Sequence, residues 1–277
     1  MPVMKVNGCG IHFEDTQAGD DTILLLAGTA GAIGLWKKFQ IPHFRRLFRG
    51  VAMDSRGTGG SDLDPGRYSL ELFAQDGIAL LRELGITSTH VIGHSLGASV
   101  ALAAAKLGAG LVKSVVLGSP GGHLNPQAIT TRGIPIKLVL QLVEKGYLPR
   151  VRGHYTGQYW WPAAYRAAHP ELVEELAATL IAELPPLEFY LKHVQARQEF
   201  DVLACLEGLN VPALIIVGAE ETILEGTLPH LEAARRIHAI VPASRLYEVP
   251  AATHGYFWQE PATVNRVIED FLLNPPA

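Results

Sequence analysis

At 277 residues, 48% hydrophobic and 18% charged, the chain is too apolar for disorder and long enough for one large α/β domain with an insertion, or for two small domains. A formal charge of −4, with Lys and Arg scattered rather than clustered, leaves no footprint for nucleic acid or anionic lipid, so neither is expected as a partner. No apolar run approaches the roughly 20 residues of a membrane helix, and no apolar stretch follows a basic start, so a cytoplasmic protein that neither enters a membrane nor carries a secretion signal is expected.

Residues 4–8 and 10–15 read as a hairpin, 22–27 as a buried strand and 50–54 as another. Apolar side chains recur at helical spacing over 70–84 and stop at Gly85, a good C-cap. A short strand at 90–92, a helix of small residues at 96–106 and an apolar strand at 112–117 follow. After Asp201 the alternation resumes: strand 213–217, helix 230–240, strand 244–249, helix 261–272. Strands alternating with helices predict a mostly parallel sheet covered on both faces. Residues 124–200 break the rhythm, with helical stretches punctuated by Pro149, Pro162, Pro170, Pro185 and Pro186. They are expected to form a helical lid inserted into one α/β core made of residues 1–123 and 201–277. The lid holds 9 of the chain's 21 aromatic residues, which suits a cover over an apolar cavity. Its basic residues, among them Arg132, Lys137, Arg150, Arg152, Arg166, Lys192 and Arg197, are nearly balanced by acids and read mostly as solvated. Cys9 and Cys205 match no zinc spacing, no His, Asp and Glu cluster has metal-ligand spacing, and neither a metal nor a disulfide is expected.

The segment VIGHSLGAS at 91–99 joins an apolar strand to a helix through Gly93, His94, Ser95, Leu96 and Gly97. This is the G-x-S-x-G elbow, in which the serine sits on a sharp turn and its flanks must be glycine-sized because strand and helix pack closely there. Ser95 is therefore the expected nucleophile. With AGTAG at 27–31, MDSRGTGGSD at 53–62, VGAEET at 217–222 and THGYFWQEP at 253–261, the chain resembles the α/β-hydrolase fold superfamily over everything but the lid. The stretch from 53 through DPGRYSLELFAQDGIALLRELGI is similar to bacterial enol-lactonases and related esterases.

A serine needs a base to activate it, usually a histidine oriented by a carboxylate, in the chain order Ser, acid, His. The resemblance puts the base at His254, although Thr253 stands where the family more often has glycine. It puts the acid three residues past the glycine ending its strand, at Glu221, where aspartate is commoner, with Glu220 as the alternative. The other family position for the acid, after the preceding strand, holds residues 119–123 and no carboxylate. The oxyanion is expected on backbone N–H groups, one from Leu96 and one from Thr29, with Ala30 as the alternative. The family often has His-Gly where this chain has Ala27 and Gly28, which leaves a backbone donor in place. The Asp54, Arg56, Gly57, Gly59, Ser61 loop lacks the lysine and helix start of a phosphate-binding loop and reads as structural.

The expected function is a cofactor-free serine hydrolase acting on an ester, lactone or thioester of a small to medium apolar acid, with a small-molecule substrate as its partner. Trp160 and Trp161 are expected to line the acyl side of the pocket, and His94 to pack or line it. The alternatives are a C–C bond hydrolase using the same three residues, a lyase or perhydrolase, and a ligand-binding receptor with a vestigial triad. Oligomeric state has no signature in the sequence.

Overall fold

The computed structural model describes residues 2–121, 134–221 and 229–276. Its strands are β1 (Val3–Val6), β2 (Cys9–Asp15), β3 (Asp21–Leu26), β4 (Phe48–Met53), β5 (Thr89–His94), β6 (Val112–Gly118), β7 (Ala213–Gly218) and β8 (Ser244–Val249). They form one eight-stranded sheet in the order β1-β2-β4-β3-β5-β6-β7-β8. The β1–β2 and β2–β4 pairs are antiparallel, and every other neighbouring pair is parallel. Because β3 lies between β4 and β5, the winding reverses there, and the crevice beyond its carboxyl end is where such sheets collect ligands. β4 begins two residues before the expected start because Phe48 and Arg49 pair with Asp21 and Thr22, and β5 extends over six residues rather than three.

Side chains alternate across the sheet and split the core in two. Leu24 and Leu26 of β3, Val115 and Leu117 of β6 and Ile215 and Val217 of β7 join one buried cluster. Ile23, Leu25, Val116, Leu214 and Ile216 join the other. The first is covered by α3 (Leu70–Glu83), α4 (Leu96–Leu107) and α11 (His230–Ile240). The α3 helix starts where Ser69 caps it, its hydroxyl accepting the Leu72 N–H. The second is covered by α1 (Gly34–Lys37), α2 (Gln40–Phe44), α12 (Tyr256–Gln259) and α13 (Pro261–Leu273). The short helices α1, α2, α12 and α10 (Val202–Leu206) are too brief to leave a period in the sequence.

Between β6 and β7 the chain runs through α5 (Ile136–Lys145), α6 (Tyr147–Tyr155), α7 (Ala163–Ala168), α8 (Pro170–Ala182) and α9 (Leu187–Glu199), and the described part carries no strand. The boundary expected at 123/124, like Arg132, lies outside the described residues. Among the described residues no helix is long and apolar enough to cross a membrane. Cys9 and Cys205 are buried free thiols.

The loop after β4 ties these parts together. Asp54 accepts from Ile33 N at 2.7 Å and Gly60 N at 2.8 Å, and lies 2.5 Å from His12 Nδ1. Arg56 is 3% exposed and grips the fully buried Asp76 of α3 through Nε at 2.7 Å and Nη2 at 2.8 Å, while its carbonyl accepts from His193 of α9 at 2.9 Å. Removing one partner of a buried pair strands the other charge, so Asp76→Ala is expected to lose about 3–5 kcal/mol. Urea unfolding of the two proteins checks this, and a loss below 1 kcal/mol would mean that water reaches Arg56 in the variant.

Candidate active site

Register brings the carboxyl ends of five parallel strands level. Leu26 of β3 pairs with Gly93 of β5, His94 with Gly118 of β6, Gly118 with Ile216 of β7, and Gly218 with Val249 of β8. The residues that follow these ends are Gly28 and Thr29, Ser95, Ser119, Glu221 and His254, so a chain read over more than two hundred residues converges on one edge.

Ser95 has φ 57° and ψ −117°, a backbone strained for any side chain, between the end of β5 and the first turn of α4. The glycines on either side are obligatory. A Cβ on Gly93 would sit 2.0 Å from the Gly97 carbonyl oxygen, and one on Gly97 would sit 2.2 Å from that of Leu26. The strain holds because this crossing admits no other geometry. Leu96, 2% exposed, is the first residue of α4, where unpaired N–H groups and the helix dipole favour negative charge. Thr29 lies across the cleft in the loop after β3, and the ideal Cβ of its neighbour Gly28 would come within 3.3 Å of the Ser95 Cβ.

His254 and Glu221 meet as a buried pair, with Nδ1 to Oε2 at 2.8 Å and side chains 3% and 2% exposed. The other carboxylate oxygen of Glu221 accepts from Ser119 Oγ at 2.6 Å and Gly218 N at 2.9 Å. Glu220 is exposed, with its backbone N–H on the Ala252 carbonyl at 2.9 Å. Ser119 and Tyr256 are partners that sequence reasoning missed. Tyr256 Oη lies 3.2 Å from Ser119 Oγ and donates to the Ile216 carbonyl at 3.2 Å. Ser119 opens the segment 119–123, the alternative acid position, of which Gly122 and His123 lie outside the described residues.

Three more imidazoles crowd His254. His94 stands 4.4 Å away between ring centroids and donates from Nε2 to the His254 carbonyl at 3.1 Å, leaving Nδ1 without a partner. His230 stacks on His254 at 5.0 Å, and its two nitrogens meet the Pro120 carbonyl at 3.2 Å and Tyr159 Oη at 3.0 Å. His154 stacks on Tyr159. Burial, then the His230 and Arg197 charges, hold His254 well below the ordinary histidine range. Burial depresses His94, His154 and His230 in the same direction. Among the described residues, Glu221, His230 and His254 are the group whose ligand-capable atoms all come within 4.8 Å of one another, and their donors and acceptors are largely taken up by the hydrogen bonds above.

Ser95, His254, His94 and Thr29 line a cavity of about 400 Å³, within the range of small-molecule sites. The segment between β6 and β7 supplies to its wall Leu138, Val151, Tyr155, Leu180, Tyr190 and Val194 from the helices and Tyr159 and Trp160 from the turn between α6 and α7. The same segment props the histidine loop, since the carbonyls of Tyr159 and Trp160 accept from the N–H groups of His254 at 3.3 Å and Gly255 at 2.8 Å. The expectation for Trp161 is corrected. It is fully buried away from the cavity, stacked on Tyr165, with its indole N–H on the Tyr155 carbonyl at 2.7 Å. Of the two tryptophans, Trp160 is the one that lines the wall. Of the basic residues, Lys137, Arg150 and Arg197 line the cavity, Lys137 exposed and the two arginines half-buried.

The family model described as the alpha/beta hydrolase family matches residues 23–267. The chain belongs to that family. This hydrolase is 28% identical over 258 residues to a protein of Caulobacter segnis named putative carbamate hydrolase RutD, covering 92% of each chain. Its structure is similar to the enol-lactonase of Burkholderia xenovorans, with TM-score 0.82, 21% identity and coverage of 99% and 100%. It is also similar to a thermophilic esterase of Thermogutta terrifontis, with TM-score 0.80, 23% identity and coverage of 98% and 96%. At these identities the solved structures speak for the fold alone.

The two tryptophans should separate in experiment. Trp161→Ala is expected to lower stability by about 3–5 kcal/mol and leave the preference between short and long acyl esters unchanged. Trp160→Ala is expected to shift that preference, and thermal melts alongside an ester chain-length series check both.

Proposed function

We propose that this chain is a serine hydrolase that cleaves an ester, lactone or thioester of a small to medium acid through a Ser95, His254, Glu221 triad. The observation that carries the reading is the strained serine elbow sharing one cavity with a histidine whose far nitrogen is held by a buried carboxylate. Ser95 Oγ attacks the acyl carbon as His254 Nε2 takes its proton. Glu221 keeps the proton of the imidazole on Nδ1 and balances the imidazolium that forms, while Ser119 and Gly218 fix the carboxylate. The oxyanion rests on the N–H groups of Thr29 and Leu96. The leaving group takes the proton from His254, and a water molecule activated by the same base releases the acid. The helices between β6 and β7 act as a lid that walls the acyl side. A carbamate is a second substrate class, favoured by the name of the Caulobacter segnis relative, and the same attack on a carbonyl carbon would serve it.

Ser95→Ala is expected to abolish both turnover of a 4-nitrophenyl ester and labelling by a fluorophosphonate; labelling that survives would move the nucleophile elsewhere. Glu221→Gln should lower kcat on the order of 10⁴-fold and Glu220→Gln under roughly tenfold. Catalysis requires neutral His254. Because its depressed pKa keeps it neutral at lower pH, the acid limb of kcat/KM is expected below histidine's ordinary 6.5. A limb above that value would mean that the Glu221 carboxylate outweighs burial.

A further inference from the structure

The cavity wall carries cations and, among its described lining residues, no anion. Lys137, Arg150 and Arg197 are among its lining residues, and no Asp or Glu is among the described ones. Arg150 and Arg197 have no carboxylate partner among the described residues, unlike Arg56, Arg67, Arg152 or Arg235, each of which is paired. Their hydrogen bonds go instead to neutral groups that themselves line the cavity. Arg197 Nη1 donates to Thr29 Oγ1 at 3.3 Å, beside the proposed oxyanion donor, and Arg150 Nη1 donates to Tyr190 Oη at 2.7 Å. Both arginines are half-buried, and a cation there is neither fully hydrated nor neutralised. Both also act electrostatically on His154, which places the two charges around the same part of the wall. Trp160, on that wall, has a buried indole N–H with no partner. The rest of the wall mixes apolar side chains such as Leu138, Val151 and Val194 with neutral polar ones such as Gln141 and Tyr155, and a guanidinium presents the planar fork that matches a carboxylate.

We propose that Arg197, backed by Arg150, receives a carboxylate on the substrate, so that the compound hydrolysed is an acid ester, an acid lactone or a carbamate with a free carboxylate elsewhere in the molecule. The proposal rests on the serine hydrolase reading and narrows its substrate class to acyl compounds that also carry a free carboxylate. Arg197 is a specificity-determining group. It stands next to Thr29, so a carboxylate on its fork fixes which way the acyl carbon faces Ser95.

The test compares mono-4-nitrophenyl adipate with its methyl-capped diester, which has the same chain and no charge. At pH 7 the wild-type protein is expected to favour the acid by about tenfold or more in kcat/KM, on the order of one charge-assisted hydrogen-bond pair. Arg197→Gln should collapse that ratio by a similar factor, mainly through KM, and Arg197→Lys should retain part of it. A wild-type preference for the capped ester overturns the proposal. So does an Arg197→Gln variant that slows both esters alike, which would make Arg197 a brace for Thr29. Wild-type protein inert to both esters and unlabelled by a fluorophosphonate would sink the hydrolase reading instead. In that case adipate raising Tm in the wild type and not in Arg197→Gln supports the anion site, and no shift in either removes it.

Discussion

The close crossing of β5 and α4 is the constraint on which the rest of the molecule depends. Two glycine positions without room for a Cβ bring the strand and helix backbones into contact, and the serine between them has no relaxed conformation to adopt. The crossing also sets the level of the sheet edge. With Gly93 fixed against Leu26 and His94 against Gly118, the loops carrying Thr29, Ser119, Glu221 and His254 can only rise around the serine. Backbone strain of this kind persists where surrounding packing leaves no alternative. Here the packing is two buried layers of aliphatic and aromatic side chains, one on each face of the sheet.

What is legible in the sequence is what short-range geometry decides. The elbow is readable because glycine two residues either side of a serine has one steric meaning. The alternation of strand and helix is readable because the central strands β3, β5 and β7 are buried on both faces and so appear as apolar runs. That Glu221 rather than Glu220 faces His254 is what the resemblance to the α/β-hydrolase superfamily implies, by its usual count beyond the glycine that ends the strand. Other features depend on which way a side chain turns after folding. Trp160 and Trp161 are chemically identical neighbours, and only the turn that carries them sends one to the cavity and the other into the core. Arg150 and Arg197 vanish into a balanced charge count, because counting does not report which charges face inward. Ser119 and Tyr256 matter only because β6 and the loop after β8 arrive side by side, and a lone hydroxyl in a sequence carries no such signal.

The histidines add an electrostatic theme of their own. Burial holds His94, His154, His193, His230 and His254 toward their neutral forms, His193 down to about 4. A group whose folded pKa lies below its unfolded value binds fewer protons when folded. Its contribution to stability is therefore complete above the unfolded value of 6.5 and is lost as pH falls from there toward the folded pKa. Three of these groups, His94, His154 and His254, line one cavity, which makes the site sensitive to acid.

The bonds from the Tyr159 and Trp160 carbonyls to the His254 loop carry a consequence for how this scaffold can diversify. The segment that shapes the acyl wall is the same segment that steadies the imidazole. A different insertion between β6 and β7 would therefore change the pocket and unseat the base in one step. Inheritance of new substrate range along this lineage is then restricted to exchanges that keep two main-chain acceptors at that turn, whatever side chains surround them. Selectivity and reactivity travel as one heritable unit here, although the fold keeps them on separate parts of the chain.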